Sequence, residues 1–177
     1  MTATEALRGD HEIIERVLRV MERSALRLES GRPLSPEVLS SAVDFLRNFG
    51  DQCHHAKEEH QLFPRMIERG IGREAGPIGV MLHEHDLGRT YLQRLEQALD
   101  DGDDESTIEA LHCYVGLLRT HIMKENEILF PLADGLLTGS DHDELVAAFQ
   151  RLERERIGLG VLERYGPLVA HIERAVR

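Results

Sequence analysis

Tryptophan is missing from the 177 residues, aromatics make up only 5%, and cysteine occurs twice. Two cysteines, Cys53 and Cys113, are too few for a disulfide framework and read as intracellular thiols, which excludes the disulfide-stapled secreted scaffolds. Positive charge is scarce, with 21 Lys and Arg against 32 Asp and Glu. The resulting formal charge of −11 repels phosphate backbones, so nucleic acid is not an expected partner. No apolar run approaches the ~20 residues of a membrane span. The opening MTATEALRGDHE lacks the basic segment and apolar run of a signal peptide. The expectation is a cytoplasmic protein of one compact domain, with or without a short appendage. Against these scarcities stand ten histidines.

Strict apolar–polar alternation is also rare, and apolar residues recur at steps of three and four, so the chain reads as all-α. A first helix runs from about Thr4 to about Glu29, with Thr2 and Glu5 offering a capping box. A second starts at Ser35-Pro36 and reaches the Gly70–Gly72 region, with a kink expected at Pro64. A third follows Gly76-Pro77 and ends in a solvated acidic loop over Asp100–Glu105. A fourth starts at Ser106, capped with Glu109, and reaches Pro131. A fifth fits 142–156, and a Gly166-Pro167 break precedes a final helical piece. Short connections predict an up-down-up-down antiparallel four-helix bundle over 1–136, with residues 137–177 packing on it as a helical extension.

Each bundle helix carries a heptad stripe, and each stripe is interrupted by polar residues. His11 lies in the stripe Leu7, His11, Ile14, Leu18, Met21, Ala25, Leu28. Helix two reads Leu39, Val43, Leu46, Gly50, His54, Glu58, Leu62. Helix three reads Ile78, Met81, His85, Gly88, Leu92, Leu95, Leu99, and helix four Ile108, Leu111, Tyr114, Leu118, His121, Glu125, Ile128. HHAKEEHQLFP and HIMKENEILFP align through LFP, matching His54 with His121 and Glu58 with Glu125. DHEIIERVL and EHDLGRTYL match His11 with His85, so the chain reads as a duplicated helical hairpin. Equal distances from the turns put the partners of each hairpin at equal heights.

Four imidazoles and two carboxylates in one dry layer are costly, because each unpartnered buried polar group costs roughly 1–3 kcal/mol and charges cost more. A metal removes that penalty, and six nitrogen and oxygen donors suit two metals sharing carboxylates better than one closed tetrahedral site. His55 and Glu59 form a neighbouring i, i+4 pair and remain the alternative register for helix two. His60, His83, His112, His142 and His171 fall off the stripes and read as surface residues.

The order His11, His54-xxx-Glu58, His85, His121-xxx-Glu125, with LFP after both H-xxx-E motifs, resembles the hemerythrin-like, or HHE cation-binding, family over roughly residues 5–135. The resemblance implies a centre of two Fe ions with an oxo or hydroxo bridge, the four histidines as terminal ligands and the two glutamates bridging. It also implies O2 binding, iron or redox sensing, or peroxide handling, with O2 or hydrogen peroxide as the small-molecule ligand. Two departures separate the chain from the oxygen carriers of the family. Arg89 stands four residues after His85 where they have a second histidine, and Glu125 with Asn126 replaces their later aspartate. By resemblance, the pattern is nearer the hemerythrin-like branch linked to iron sensing and peroxide chemistry. Two functional classes follow: a redox enzyme decomposing peroxide, or a binding and sensing module without turnover. Tyr114, two turns before His121 on the same stripe, is the candidate catalytic phenol at the edge of the site.

Overall fold

The computed structural model describes residues 1–177 apart from 75 and 159. All regular structure among the described residues is helical. Helix α1 is Ala3–Glu29. Helix α2 (36–68) passes through Pro36–Phe45, Leu46–His55, Glu58–Leu62 and Phe63–Glu68. Helix α3 is Pro77–Asp101. Helix α4 (104–136) comprises Asp104–Lys124, Glu125–Leu129 and Phe130–Leu136. Helices α5 and α6 are Gly139–Arg156 and Val161–Ala175. The arrangement is an all-α helical bundle, and no helix among the described residues is long and apolar enough to cross a membrane.

Local chemistry sets the boundaries. Thr2 and Glu5 form the expected capping box at α1. Helix α4 begins two residues earlier than expected, because the Asp103 carboxylate, rather than Ser106, caps it by accepting from the Ser106 N–H. Gly102 ends α3 at φ 66°, a left-handed conformation that favours glycine. At the other end of α3, a Cβ on Gly79 would stand 2.6 Å from the Glu74 carbonyl oxygen, so the α2–α3 turn packs only on glycine. The expected break at Gly166-Pro167 does not occur, and α6 runs through it. Pro167 and Glu163, whose carbonyl loses its donor, both face solvent. Tyr165, Val169, Ile172 and Val176 hold the opposite face in the core.

Three segments are π-helical: Leu46–His55, Glu58–Leu62 and Glu125–Leu129. The Glu58 carbonyl accepts from the Phe63 N–H and the Glu125 carbonyl from Phe130, five residues on in each case. Pro64 and Pro131 follow directly and cannot donate to the carbonyl four residues back. The irregularity expected at Pro64 thus falls one turn earlier. Each π turn rotates the residues after it, which corrects the stripe of helix four. Ile128 is 59% exposed, while Leu129 and Phe130 are buried.

The buried apolar residues divide into two clusters. One holds Ile14, Leu18, Phe45, Phe49, Leu92, Leu111 and Leu118, and the other Leu7, Leu62, Phe63, Met81, Leu129 and Phe130. His11, His54, Glu58, His85, His121 and Glu125, all buried, lie between them along their helices. The C-terminal helices contribute to both clusters: Phe149 to one, Val169 and Ile172 to the other. His142 corrects its surface reading, because α5 folds back so that the imidazole, 9% exposed, accepts from the Ala3 N–H at 3.2 Å. His60, His83, His112 and His171 are exposed as expected.

Truncating Phe149 to alanine should lower stability by about 3–5 kcal/mol in urea denaturation. Leu162→Ala, at a side chain 71% exposed, should leave the midpoint in place. Equal midpoints for both variants would mean that α5 carries none of the core.

Candidate metal centre

The structure gathers the six side chains of the sequence pattern into one layer. His11 Nε2 and His54 Nε2 lie 3.1 Å apart, and so do His85 Nε2 and His121 Nε2. Glu125 touches both pairs, with one oxygen 3.1 Å from His11 Nε2 and the other 3.1 Å from His121 Nε2. Glu58 Oε2 lies 3.8 Å from His54 Nε2 and 3.4 Å from His85 Nε2. Two groups of donor atoms, His11–His54–Glu58–Glu125 and Glu58–His85–His121–Glu125, therefore share both carboxylates.

The outer nitrogens explain the orientation. His54 Nδ1 bonds Asp10, His121 Nδ1 bonds Glu84, His85 Nδ1 bonds Glu59 and His11 Nδ1 bonds the Asn126 amide oxygen, at 2.7–3.2 Å. An acceptor oxygen at Nδ1 keeps the ring proton there and leaves the Nε2 lone pair facing inward. Cations hold these acceptors in turn: Lys57 on Asp10, Lys124 on Glu84, Arg89 on Glu59, and Arg8 on Asn126. This shell repeats with the hairpin duplication. Asp10 and Glu84 each precede a ring histidine, Lys57 and Lys124 each precede a core glutamate, and Glu59 and Asn126 each follow one. The repeat was present in the aligned motifs, but in a chain with 32 acidic residues these positions look like ordinary surface charge. Arg89 and Asn126, the two departures from the oxygen-carrier pattern, have definite places in the shell.

The donor set fits metal on three counts. Lone pairs facing each other at 3.1 Å repel unless a cation lies between them. Nitrogens bound at ~2.1 Å to one metal lie ~3.0–3.4 Å apart, so the spacing of each pair is one that a single shared metal ion permits. Finally, five buried side-chain polar atoms among the described residues have no hydrogen bond, and four of them are the oxygens of Glu58 and Glu125 (the fifth is Arg27 Nε).

Titration follows the same geometry. Burial, assisted by the charges of neighbouring imidazoles, lowers His54 to about 4 and His85 to about 3. Burial also disfavours the charged form of His121, but Glu125 and Glu84 outweigh it and raise this histidine to about 9. Burial and the Glu125 charge push Glu58 well up. For Glu125, burial is overcome by His121 and His11, and its pKa falls.

His54 and Glu58 belong to the layer, while Glu59 turns outward to bond His85 and Arg89. His55 is also buried and sits against His85 and His121. Tyr114 is not among the gathered donors. It is buried in the apolar cluster with Leu111 and Leu118, and burial together with the nearby Asp51 charge raises its phenol. Both cysteines are free. Cys53 is buried with its thiol pushed up to about 12 by desolvation, and Cys113 is exposed.

The family of the hemerythrin HHE cation-binding domain matches residues 2–133, and the chain belongs to it. An uncharacterized protein of Mycobacterium tuberculosis is 21% identical over 99% of this chain and 71% of its own length. Iron–sulfur cluster repair proteins YtfE of Musicola paradisiaca and Edwardsiella ictaluri are 35% and 34% identical over 66% and 67% of this chain. The chain spans 55% and 57% of those two relatives, about half their length. No solved structure matches.

His54→Ala and His121→Ala should each sharply reduce bound metal, measured by elemental analysis, whereas His55→Ala should not. The reverse order between His54 and His55 would move the register by one residue. A second outcome concerns the protein stripped by chelator. His54 and His85 have folded pKa values below the ordinary 6.5, so below pH 6.5 the unfolded chain takes up protons first. The stability they provide is present above pH 6.5 and is lost as pH falls toward 4. The contribution of His121 has the opposite sign and is lost only as pH rises through about 9. Melting of the stripped protein should therefore fall between pH 6.5 and 5, against the opposite slope of Glu58, whose raised pKa favours the folded state as pH drops. Glu58→Gln should steepen the fall, and a flat profile in that variant would contradict the burial of these rings.

Proposed function

We propose that the layer holds two iron ions and that the protein reacts with hydrogen peroxide or O2, with peroxide decomposition as the favoured activity. The observation that supports this is the pair of His Nε2–His Nε2 contacts at 3.1 Å, joined by two carboxylates that reach both pairs and have no other partner. Bound iron would supply the one-electron steps that these side chains cannot perform. The protein's own contribution is positional and electrostatic. Asp10, Glu59, Glu84 and Asn126 aim the four lone pairs, Glu58 and Glu125 carry the negative charge, and the apolar clusters on both sides keep water scarce. Four neutral imidazoles make the set less anionic than a carboxylate-rich one, which eases return to the ferrous state. Tyr114 is proposed as a buried phenol near the site, able to supply an electron without being an obligatory ligand.

A second reading is iron binding or delivery without turnover, as a sensing or storage module. The printed names of the 34–35% identical relatives, iron–sulfur cluster repair proteins, favour it. An oxygen electrode separates the two. Iron-loaded protein should bind about two irons per chain and release one O2 for every two hydrogen peroxide consumed, over many cycles. A single stoichiometric colour change, or transfer of the iron to an acceptor protein, would favour the second reading. Tyr114→Phe should keep the iron and slow turnover or change the lifetime of the oxidised state. Loss of iron from this variant would make Tyr114 a ligand, and unchanged kinetics and spectra would leave it as core packing.

A further inference from the structure

The two halves of the layer differ at one buried position. In the duplicated motifs His55 corresponds to Ile122. Ile122 and His11 wall the same surface groove in one half. In the other half the His55 ring stacks on His85, with centroids 3.9 Å apart and planes at 13°, and meets His121 edge-on at 5.8 Å. Phe63 stacks on His85 as well, with centroids 6.0 Å apart and planes at 18°. One donor atom each from His55, His85 and His121 lies within 4.8 Å of the others.

Parallel rings cannot both aim their lone pairs at one point, so His55 in this position is not a further ligand beside His85. Its Nδ1 bonds Asp51 at 3.3 Å, and the same Asp51 oxygen accepts from Arg89 Nε at 2.8 Å. That carboxylate places the ring proton on Nδ1 and leaves Nε2 as an acceptor. No hydrogen bond to this Nε2 occurs among the described residues, and it is not one of the sealed atoms that lack a partner, so it stays open to a donor arriving from outside the protein.

Resting on the di-iron reading above, we propose that His55 selects the small molecule bound at the His85–His121 half: its Nε2 accepts a hydrogen bond from a ligand that carries a proton, of the class of hydrogen peroxide. Ligands without a proton, such as O2 or the azide anion, gain nothing from an acceptor. Ile122 offers no such contact in the other half, so the two metal positions are unequal in function although their ligands match. A small ligand held at the His85–His121 half would lie beside the His55 ring, whose centroid is 3.9 Å from that of His85 and 5.8 Å from that of His121. This leaves it within reach of a side-lying acceptor.

The test uses full-length iron-loaded protein and His55→Ile, which copies the counterpart residue, with His55→Gln as a variant that keeps an acceptor. Three quantities are read: iron per chain, azide affinity from its absorption titration, and the half-saturating hydrogen peroxide concentration. Loss of one hydrogen bond should raise the peroxide value about 3- to 10-fold in His55→Ile. Iron content should be unchanged and azide binding no weaker, and His55→Gln should recover part of the peroxide effect. Loss of iron from His55→Ile would overturn the inference by making His55 a ligand. Equal weakening of azide and peroxide, or no change in either, would overturn it too, while two bound irons would leave the di-iron reading standing. Wild-type protein holding fewer than about two irons would instead overturn the di-iron reading itself.

Discussion

Two pairs of imidazole lone pairs, each 3.1 Å apart in a water-poor layer, are the constraint around which this bundle is organised. Neutral rings facing each other in this way repel, and the carboxylates of Glu58 and Glu125 beside them have no hydrogen bonds. Without a cation the layer recruits a proton instead, which is why His121 is raised while His54 and His85 are lowered. The apolar clusters above and below make the layer dry, and its dryness makes the demand for positive charge strong. The net charge of −11 adds a long-range attraction for cations.

The π turns belong to the same arrangement. Each includes one of the gathered residues: His54, Glu58 or Glu125. A strict α-helix would set i and i+4 side chains a fixed rotation apart. Widening the turn changes that rotation and then returns Leu62 or Leu129 to the core, at the entrance to the proline that follows.

The stripes of α1, α3 and α4 were readable because a packed helix buries about one residue per turn, and a histidine in a leucine position stands out. His11, His85 and His121 are found this way, and the LFP alignment separates His54 from His55. Beyond that the sequence is silent for identifiable reasons. Asp10, Glu84 and Glu59 point across to a neighbouring helix rather than along their own, so no periodicity marks them. Ile128 and Leu129 exchange roles because of hydrogen bonds five residues long, which apolar spacing does not reveal. His142 is buried by the path of α5, a tertiary event. The continuity of α6 through Pro167 depends on which face of that helix meets water.

One buried lysine ties the C-terminal region to the centre of the bundle. Lys57 bonds Asp10, the acceptor of the His54 ring proton, and also reaches Glu153 of α5 at 3.4 Å. The line Glu153–Lys57–Asp10–His54 thus runs from a helix beyond the residues matched by the family to a donor atom of the inner layer. Linkage makes such a line reciprocal: if docking of α5 favours the aim of His54, filling of the layer favours the docking of α5 by the same coupling free energy. Displacing α5 would remove one of the two carboxylates that hold Lys57 and so disturb the layer through Asp10 and His54, without touching any of its other side chains.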